Sequence, residues 1–261
     1  MSAHRFEDER FLRGKGRYVA DINRENQLYA KIVRSIHGHA KIINIDISDA
    51  LTVDGVCGIY VEDDLAKDGV GPLPCTTKFV AEQPLVVAER YALARDKVRY
   101  VGDPVALVLA ETEMAAQEAA ELVLVDYEAL PVLVSPLNSM QDGSPLIWSN
   151  APKNIAYRFK KGEKESTAAA FDGAAHVVEL DIENNRVMAL PIEPRAGIGE
   201  YDPKNDVMRL ICTAQGVHAI REQLAQSVFS IDEKKIQISA PDVGGGFGLK
   251  NFLFPEWVLL L

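Results

Sequence analysis

Asp242-Val243-Gly244-Gly245-Gly246-Phe247-Gly248-Leu249-Lys250 places four glycines in five successive positions, with Phe247 set among them. A backbone stripped of side chains in this way reaches positive φ at little steric cost and lets a ligand approach bare N–H groups. The alternation Ile236-Gln237-Ile238-Ser239-Ala240 ahead of it reads as a strand, and Phe252-Leu253-Phe254-Pro255-Glu256-Trp257-Val258-Leu259 behind it is a renewed apolar segment. Strand, glycine loop and apolar segment form the setting in which backbone amides cradle an anion or the oxo group of a cofactor. A tight loop between two packed elements would use the same residues, so the rest of the chain has to decide.

The 261 residues suffice for one large domain or two ordinary ones. An apolar fraction of 48% with 25% charged residues is that of a soluble globular protein. A net charge of −10, unrelieved by any basic cluster, argues against a nucleic-acid surface and against an anionic membrane. Cys57, Cys75 and Cys212 are scattered and odd in number, and no CxxC occurs. That argues against a disulfide framework or zinc knuckle and fits a reducing compartment better. The first ten residues, Met1 to Arg10, lack an apolar signal core, and no run approaches the ~18 apolar residues of a membrane span. The expected location is the cytoplasm, with export in folded form beside a signal-bearing partner as the other route.

Along the first half, Phe11 to Asp21 reads as an extended arm ending in a turn, and Leu28 to Ile36 as a strand. His37-Gly38-His39 offers two imidazoles at i, i+2 without a third ligand nearby, so a turn is the expectation. Ile43 to Ser48 alternates like an edge strand, followed by a short helix through Val53 capped by Ser48 or Asp49. Cys57 to Val61 is a further strand, with Cys57 expected as a small core residue. Residues 64–96, holding Gly69, Gly71, Pro72, Pro74 and Pro84, read as a long loop with one short strand near Leu85-Val86-Val87. After the turn Gly102-Asp103-Pro104, the run Val105 to Ala110 is a buried strand. Thr112 then caps a helix whose stripe is Met114, Ala115, Ala119 and Leu122, and Val123 to Glu128 returns as a strand. This strand–helix–strand makes residues 15–130 a small α/β domain.

Residues 131–155, with four prolines and little periodicity, read as a linker. Beyond them strands are expected at Ala156 to Phe159, His176 to Ile182, Gly197 to Tyr201, Val207 to Cys212 and Ile236 to Ala240, with Pro203-Lys204-Asn205-Asp206 as a hairpin turn. In Pro191-Ile192-Glu193-Pro194-Arg195 the prolines stiffen a charged pair, either as a site element or as a domain-packing ion pair. Thr213-Ala214-Gln215-Gly216-Val217-His218 follows a strand and opens a helix with Val217, Ile220, Leu224 and Val228 on one face. Gln215 and Gly216 therefore sit where free N–H groups and a positive dipole end favour anionic ligands, and the Gln215 amide can donate to an oxygen. His218 reads as a first-turn surface or packing residue.

Six stretches now agree in order and spacing with one family: Arg13 to Asp21, Val101 to Ala106, Asp126 to Pro131, Glu193-Pro194-Arg195, Gln215-Gly216-Val217-His218 and Gly244 to Gly248. The chain resembles, from about residue 6 onward, the start of the molybdopterin-binding large subunit of the xanthine dehydrogenase / aldehyde oxidase / aerobic carbon monoxide dehydrogenase family. The resemblance implies an α+β fold, with an α/β-hammerhead domain and N-terminal arm over residues 1–130, a linker over 131–155, and the first part of a molybdenum-cofactor-binding α/β domain over 156–261. It implies a molybdenum-dependent oxidoreductase that hydroxylates an aldehyde or N-heterocycle, or oxidises CO, with water as oxygen source. The cofactor would be molybdopterin, in its cytosine dinucleotide form, with iron–sulfur clusters and FAD on partner subunits.

Carried over by residue, Gln215 matches the glutamine whose amide approaches an oxygen ligand of molybdenum. Gly216 accompanies it, and Gly245, Gly246, Phe247 and Gly248 match the loop whose backbone faces metal and pterin, without binding the metal directly. Purine-oxidising members carry a glutamate directly after the loop's lysine; here Lys250 is followed by Asn251, a substrate-facing candidate that makes xanthine a less fitting substrate. The family's subunit is roughly three times longer, so the catalytic glutamate, the cysteine-bearing loop and most pterin contacts are expected beyond Leu261. The apolar end Trp257 to Leu261 reads as an unfinished surface that seeks a partner.

Two functions follow. The chain is a component of a molybdenum hydroxylase, inactive alone and completed by the remaining part of the subunit on another chain, or it is a non-catalytic remnant or interaction module keeping the hammerhead fold. A nucleotide-phosphate site ranks below both, because the glycine loop lacks the Gly-Lys-Ser/Thr of a P-loop and no GxGxxG opens a helix after the first strand.

Overall fold

Val105, Ala106 and Val108 have no solvent exposure, because the apolar run they belong to is covered on both faces. The structure is a computed structural model that describes residues 5–77 and 85–261; Pro84 of the expected loop lies outside them. In chain order the first elements are α1 (Asp8–Leu12), β1 (Tyr29–Arg34), β2 (Ala40–Asp46), β3 (Val56–Val61), α2 (Glu62–Lys67), β4 (Lys97–Val98), β5 (Pro104–Ala110), α3 (Glu113–Leu122) and β6 (Leu124–Ala129). β5 is the centre of an antiparallel sheet ordered β1-β5-β3, in register Tyr29 to Ala110 and Tyr60 to Leu107. Val108 and Ala110 face α3, packing with Ala119 and with Ala115 and Ala116. Val105 faces the other way, onto Ala40 and Val98 of a second antiparallel sheet ordered β4-β2-β6.

The two strands flanking α3 thus belong to different antiparallel sheets rather than to one parallel pair. The helix itself begins where expected, with Thr112 Oγ1 accepting from the Ala115 N–H at 3.1 Å. Its buried stripe is Ala115, Ala116 and Ala119, whereas Met114 faces solvent. β2 is a central strand, not an edge, since β4 and β6 pair with its two sides. Its alternation reflects a sheet with only one face against the core. The turn after it is a 3-10 turn over Ala50–Thr52 without a side-chain cap. Cys57 is exposed rather than core, because a register shift between Val56 and Gly58 interrupts the alternation there. Within the long loop expected over 64–96, α2 starts at Glu62, with the Asp64 carboxylate accepting from the Val61 N–H at 3.1 Å. Leu73 bridges Arg90, while Leu85 to Val87 form no strand.

Later elements are α4 (Pro136–Ser139), α5 (Lys164–Asp172), β7 (Gly197–Asp202), β8 (Val207–Cys212), α6 (Val217–Gln223), β9 (Ile236–Ser239) and α7 (Pro255–Leu259). β7 and β8 form the expected hairpin and β9 joins β8 in parallel. The α6 crossover is continued by a π turn over Leu224–Val228. Ile220, Leu224 and Val228 of this stretch pack with Leu210, Cys212, Ile236 and Trp257 in the largest core. Burial pushes the Cys212 thiol up to about 12, so it is an inert core residue. Trp257 and Val258 are buried in the same core, while Leu259, Leu260 and Leu261 pack against it and stay partly exposed.

Contacts divide the chain into two compact units. One comprises Met1–Pro74, Glu89–Val132 and Ala189–Leu261, the other Cys75–Ala88 and Leu133–Met188. In the second, Ser135 caps α4 and the Asn154 side chain ties Ile147, Ser139 and Pro145 together. Ala156 to Phe159 and His176 to Ile182 form no strands there. The alternation of the latter segment is real, but a strand needs a ladder partner. Among the described residues none pairs with it, and Val178 and Leu180 stay exposed. No helix among the described residues is long and apolar enough to cross a membrane.

Candidate cofactor-facing site

The glycine loop lies beside the segment that opens α6. Gly245 and Gly248 take φ of 96° and 83°, and Phe247, with φ 49°, is forced into the same left-handed region. The Phe247 side chain is 77% exposed. A Cβ on Gly246 would stand 2.3 Å from Cδ of Gln215, and one on Gly244 2.5 Å from Cβ of Glu193, so glycine at these two positions is what lets three segments meet. Cβ atoms on Gly216 or Gly248 would meet nothing within 4 Å, which leaves open space over both.

Hydrogen bonding at the loop is uneven. Gly244 N–H donates to Glu193 Oε2 at 2.7 Å, Gly245 N–H to the Val243 carbonyl, and Leu249 N–H to the Gly246 carbonyl. Among the described residues the N–H groups of Gly246, Phe247, Gly248 and Gly216 have no acceptor in the protein. Gln215 is clamped by Lys250: its N–H donates to the Lys250 carbonyl at 3.0 Å and its Oε1 accepts from the Lys250 N–H at 3.1 Å. Among the described residues the Nε2 amide group has no protein acceptor. Gly216 is the N-cap of α6 and His218 is exposed on its first turn.

The charged groups of the proline-framed segment do not pair with each other. Glu193 receives the ammonium of Lys250, at 3.2 Å from Oε2 and 2.8 Å from its own carbonyl oxygen, and that lysine has no solvent exposure. Arg195 instead stacks on Phe254, 3.9 Å from the ring centroid, and reaches Glu256 at 3.4 Å, which also pairs with Arg34 at 2.7 Å. The N-terminal arm reaches the loop as well. Asp242 accepts both guanidinium nitrogens of Arg10 and the Arg17 N–H, and the Arg10 bonds hold its carboxyl down at about 2. None of these three connections was foreseen from the sequence, since their partners are 57 to 232 positions apart.

The remaining candidates fall on either side of this cluster. Asn251 is exposed at the end of the turn that follows Gly248. His39 is buried away from it with Nδ1 2.9 Å from the Pro131 carbonyl oxygen, and His37 stacks on Tyr127. Among the described residues no three His, Cys, Asp or Glu side chains gather as a metal-ligand set.

Comparison with known proteins meets this geometry. Residues 13–131 match the family model described as "Aldehyde oxidase and xanthine dehydrogenase, a/b hammerhead domain", and residues 147–261 match "Molybdopterin cofactor-binding domain". The chain belongs to the molybdopterin-binding large-subunit family of xanthine dehydrogenase, aldehyde oxidase and aerobic carbon monoxide dehydrogenase. Among family members, it is 36% identical over 98% of its length to the nicotine 6-hydroxylase large subunit of Paenarthrobacter nicotinovorans. It is 35% identical over 97% of its length to the carbon monoxide dehydrogenase large chain of Afipia carboxidovorans. It spans 30% and 32% of those two relatives. Quinoline 2-oxidoreductase from Pseudomonas putida 86 superposes with a TM-score of 0.88 at 31% identity, over 99% of this chain and 32% of that one. The fold is therefore the family's α+β arrangement with a hammerhead portion.

The donor set suits the family's cofactor. Oxygens that carry negative charge are met by preorganised backbone and amide N–H donors at close approach. Free amides at Gly246 to Gly248, open space over Gly216 and Gly248, and the spare Nε2 of Gln215 provide them.

Proposed function

We propose that this chain forms the part of a molybdenum hydroxylase that holds the oxygen-bearing side of the cofactor. One observation carries the reading: Gln215 Oε1 is turned onto the Lys250 N–H, so the Nε2 end of the amide offers its donors beside a row of backbone N–H groups without a protein acceptor among the described residues. Gln215, Gly216, Gly245, Gly246, Phe247 and Gly248 are the proposed cofactor-binding residues, and Asn251 the substrate-facing one. Bound there, a molybdenum–molybdopterin group would supply the two-electron oxidation of a carbon centre, with water as the oxygen source. The chain's own residues hold it: the Gln215 amide and the Gly246 to Gly248 N–H groups donate to oxygens that carry negative charge, in a geometry set before the group arrives. With no charged side chain among those donors, they stabilise charge without adding a base of their own.

In this reading residues 1–130 serve as the hammerhead domain with its arm, 131–155 as a connection and 156–261 as part of the cofactor domain. Because the chain spans about a third of the relatives it matches, the base, the remaining pterin contacts and the substrate pocket are assigned to further polypeptide. Iron–sulfur and flavin subunits take the electrons onward in the cytoplasm, and the pterin is the cytosine dinucleotide form. The names of relatives and solved neighbours point to aldehydes, N-heterocycles or CO as substrate classes, and Asn251 disfavours a purine.

Metal and pterin analysis tests the proposal, on the chain purified with and without the polypeptide encoded beside it. Molybdenum near one per complex, confined to the co-purified sample, is the expected result. Absence of molybdenum from both samples would overturn it in favour of a non-catalytic module.

A further inference from the structure

We propose that Lys250 is the positioning residue of the site: anchored on Glu193, it dictates which face of the Gln215 amide is turned toward a ligand. This rests on the reading of Gln215 as an oxygen-facing donor and names what sets that donor's direction. The starting point is an unusual burial. Lys250 has no solvent exposure, although lysine is almost never fully buried without a partner. Its ammonium donates to the Glu193 carbonyl at 2.8 Å and lies 3.2 Å from Glu193 Oε2. The same oxygen accepts the Gly244 N–H at 2.7 Å. One carboxylate oxygen thus fastens both ends of the loop, Gly244 at its start and Lys250 at its close. Among the described residues Glu193 Oε1 is buried without a partner, so the carboxylate is held through Oε2.

The consequence for Gln215 follows from donor and acceptor chemistry. A backbone N–H can only donate, so the atom 3.1 Å from the Lys250 nitrogen must be the amide oxygen of Gln215 and not its nitrogen. The Lys250 carbonyl meanwhile receives the Gln215 N–H at 3.0 Å, so main chain and side chain of Gln215 are gripped by one residue. With the oxygen held on the Lys250 N–H, the Nε2 end, with its two protons, is the end of the amide turned away from Lys250. Gly246 completes the device, since a Cβ there would fall 2.5 Å from the same Oε1 and displace it. The lysine therefore acts through the glutamine and touches no ligand itself.

Nitrogen-15 NMR and amide hydrogen exchange on the full cofactor-free chain test this. In wild type the two Nε2 proton signals of Gln215 are expected away from free-amide positions, and the Gly244 and Lys250 amides are expected to exchange slowly. Lys250→Met keeps the backbone N–H and removes the anchor. It is expected to draw the Gln215 signals to free-amide positions and to speed Gly244 and Lys250 exchange at least tenfold, while Leu210 and Ile238 in the β8–β9 ladder change less than threefold. Glu193→Ala is expected to act in the same direction and Glu193→Gln, which keeps the acceptor oxygen, to restore the wild-type pattern. Unchanged Gln215 signals in Lys250→Met, or acceleration spread equally over Leu210 and Ile238, would overturn the proposal. Should Lys250→Met not fold, the Glu193 pair decides: loss with alanine and recovery with glutamine supports it, and identical behaviour of the two refutes it. No cofactor enters these measurements, so their failure would leave the molybdenum reading to its own test.

Discussion

Phe247 is a bulky residue held at φ 49° with its ring in solvent. Nothing in packing rewards that arrangement, and a non-glycine residue in the left-handed region costs roughly 1–2 kcal/mol. Such strain persists where the surroundings over-determine it, and it clusters at ligand sites. Here the neighbours Gly245 and Gly248 share the left-handed region, so the loop's path imposes the conformation and the ring is carried outward by it. Phe247→Gly should therefore leave stability within about 1 kcal/mol of wild type, relief of strain being offset by the greater freedom of glycine in the unfolded chain. The urea midpoint checks this. A fall of several kcal/mol would mean that the ring packs against something, and that its exposure does not describe its role. Under the proposed function the same variant, assembled with its completing polypeptide, retains less cofactor.

At the scale of elements, β7 and α7 are joined through a glycine. A Cβ on Gly199 would lie 1.6 Å from the Leu260 carbonyl oxygen and 2.6 Å from its carbon, a backbone obstruction that no rotamer change relieves. Next to it Gly197 faces the Trp257 indole, whose Nε1–H donates to the Ala196 carbonyl at 3.3 Å. Gly199→Ala is expected to destabilise the chain by about 3 kcal/mol or more, at the upper end of overpacking costs. The urea midpoint should fall while the m-value holds, and an unchanged midpoint would show that α7 does not dock on β7. This contact also marks how far sequence reading goes. β5 and α3 were legible because their signals are local: a continuous apolar run and a threonine cap. β8, α6 and β9 were legible for the same reason, through alternation followed by a helical stripe. The central place of β2 was not, since alternation reports one buried face and is blind to how many strands flank it. The segment His176 to Ile182 carries a strand's pattern without a ladder among the described residues, so pattern alone overstated it. At the site, the glycine loop and Gln215 were singled out from composition and context. The Glu193–Lys250 pair is half legible: Glu193 stands out in the proline-framed segment, but the sequence offers Arg195 as its partner, because a contact across 57 positions leaves no trace in a local window.

Over the whole molecule, the Arg10–Asp242 contact fastens residues 232 positions apart and fixes the arm against the strand end from which the glycine loop departs. Asp242 N–H also donates to the Arg17 carbonyl at 3.1 Å, so the latch has a backbone part indifferent to pH and a charged part that is not. The charged part has a definite sign. The folded carboxyl is held at about 2 against an ordinary 3.8, chiefly by Arg10 and then by the Arg17 N–H. Between those values the unfolded chain binds more protons than the folded one, so stability rises with pH. The contribution is complete above the ordinary value and disappears as pH falls through about 2. Asp202, held at about 2 by Asn205 and Arg209, titrates in the same window, so absolute acid stability cannot isolate the latch. The difference between wild type and Asp242→Asn can. Thermal unfolding should show the variant less stable by a constant margin above pH 4, with the margin narrowing as pH falls and closing near pH 2. Arg10→Met should reproduce most of that profile, and 1 M salt should shrink it in both, because the contact is partly open to solvent. A margin that stays flat through the acid range would mean that the arm is held on Asp242 by its backbone bond alone, and that the Arg10 contact adds nothing to the hold on the loop.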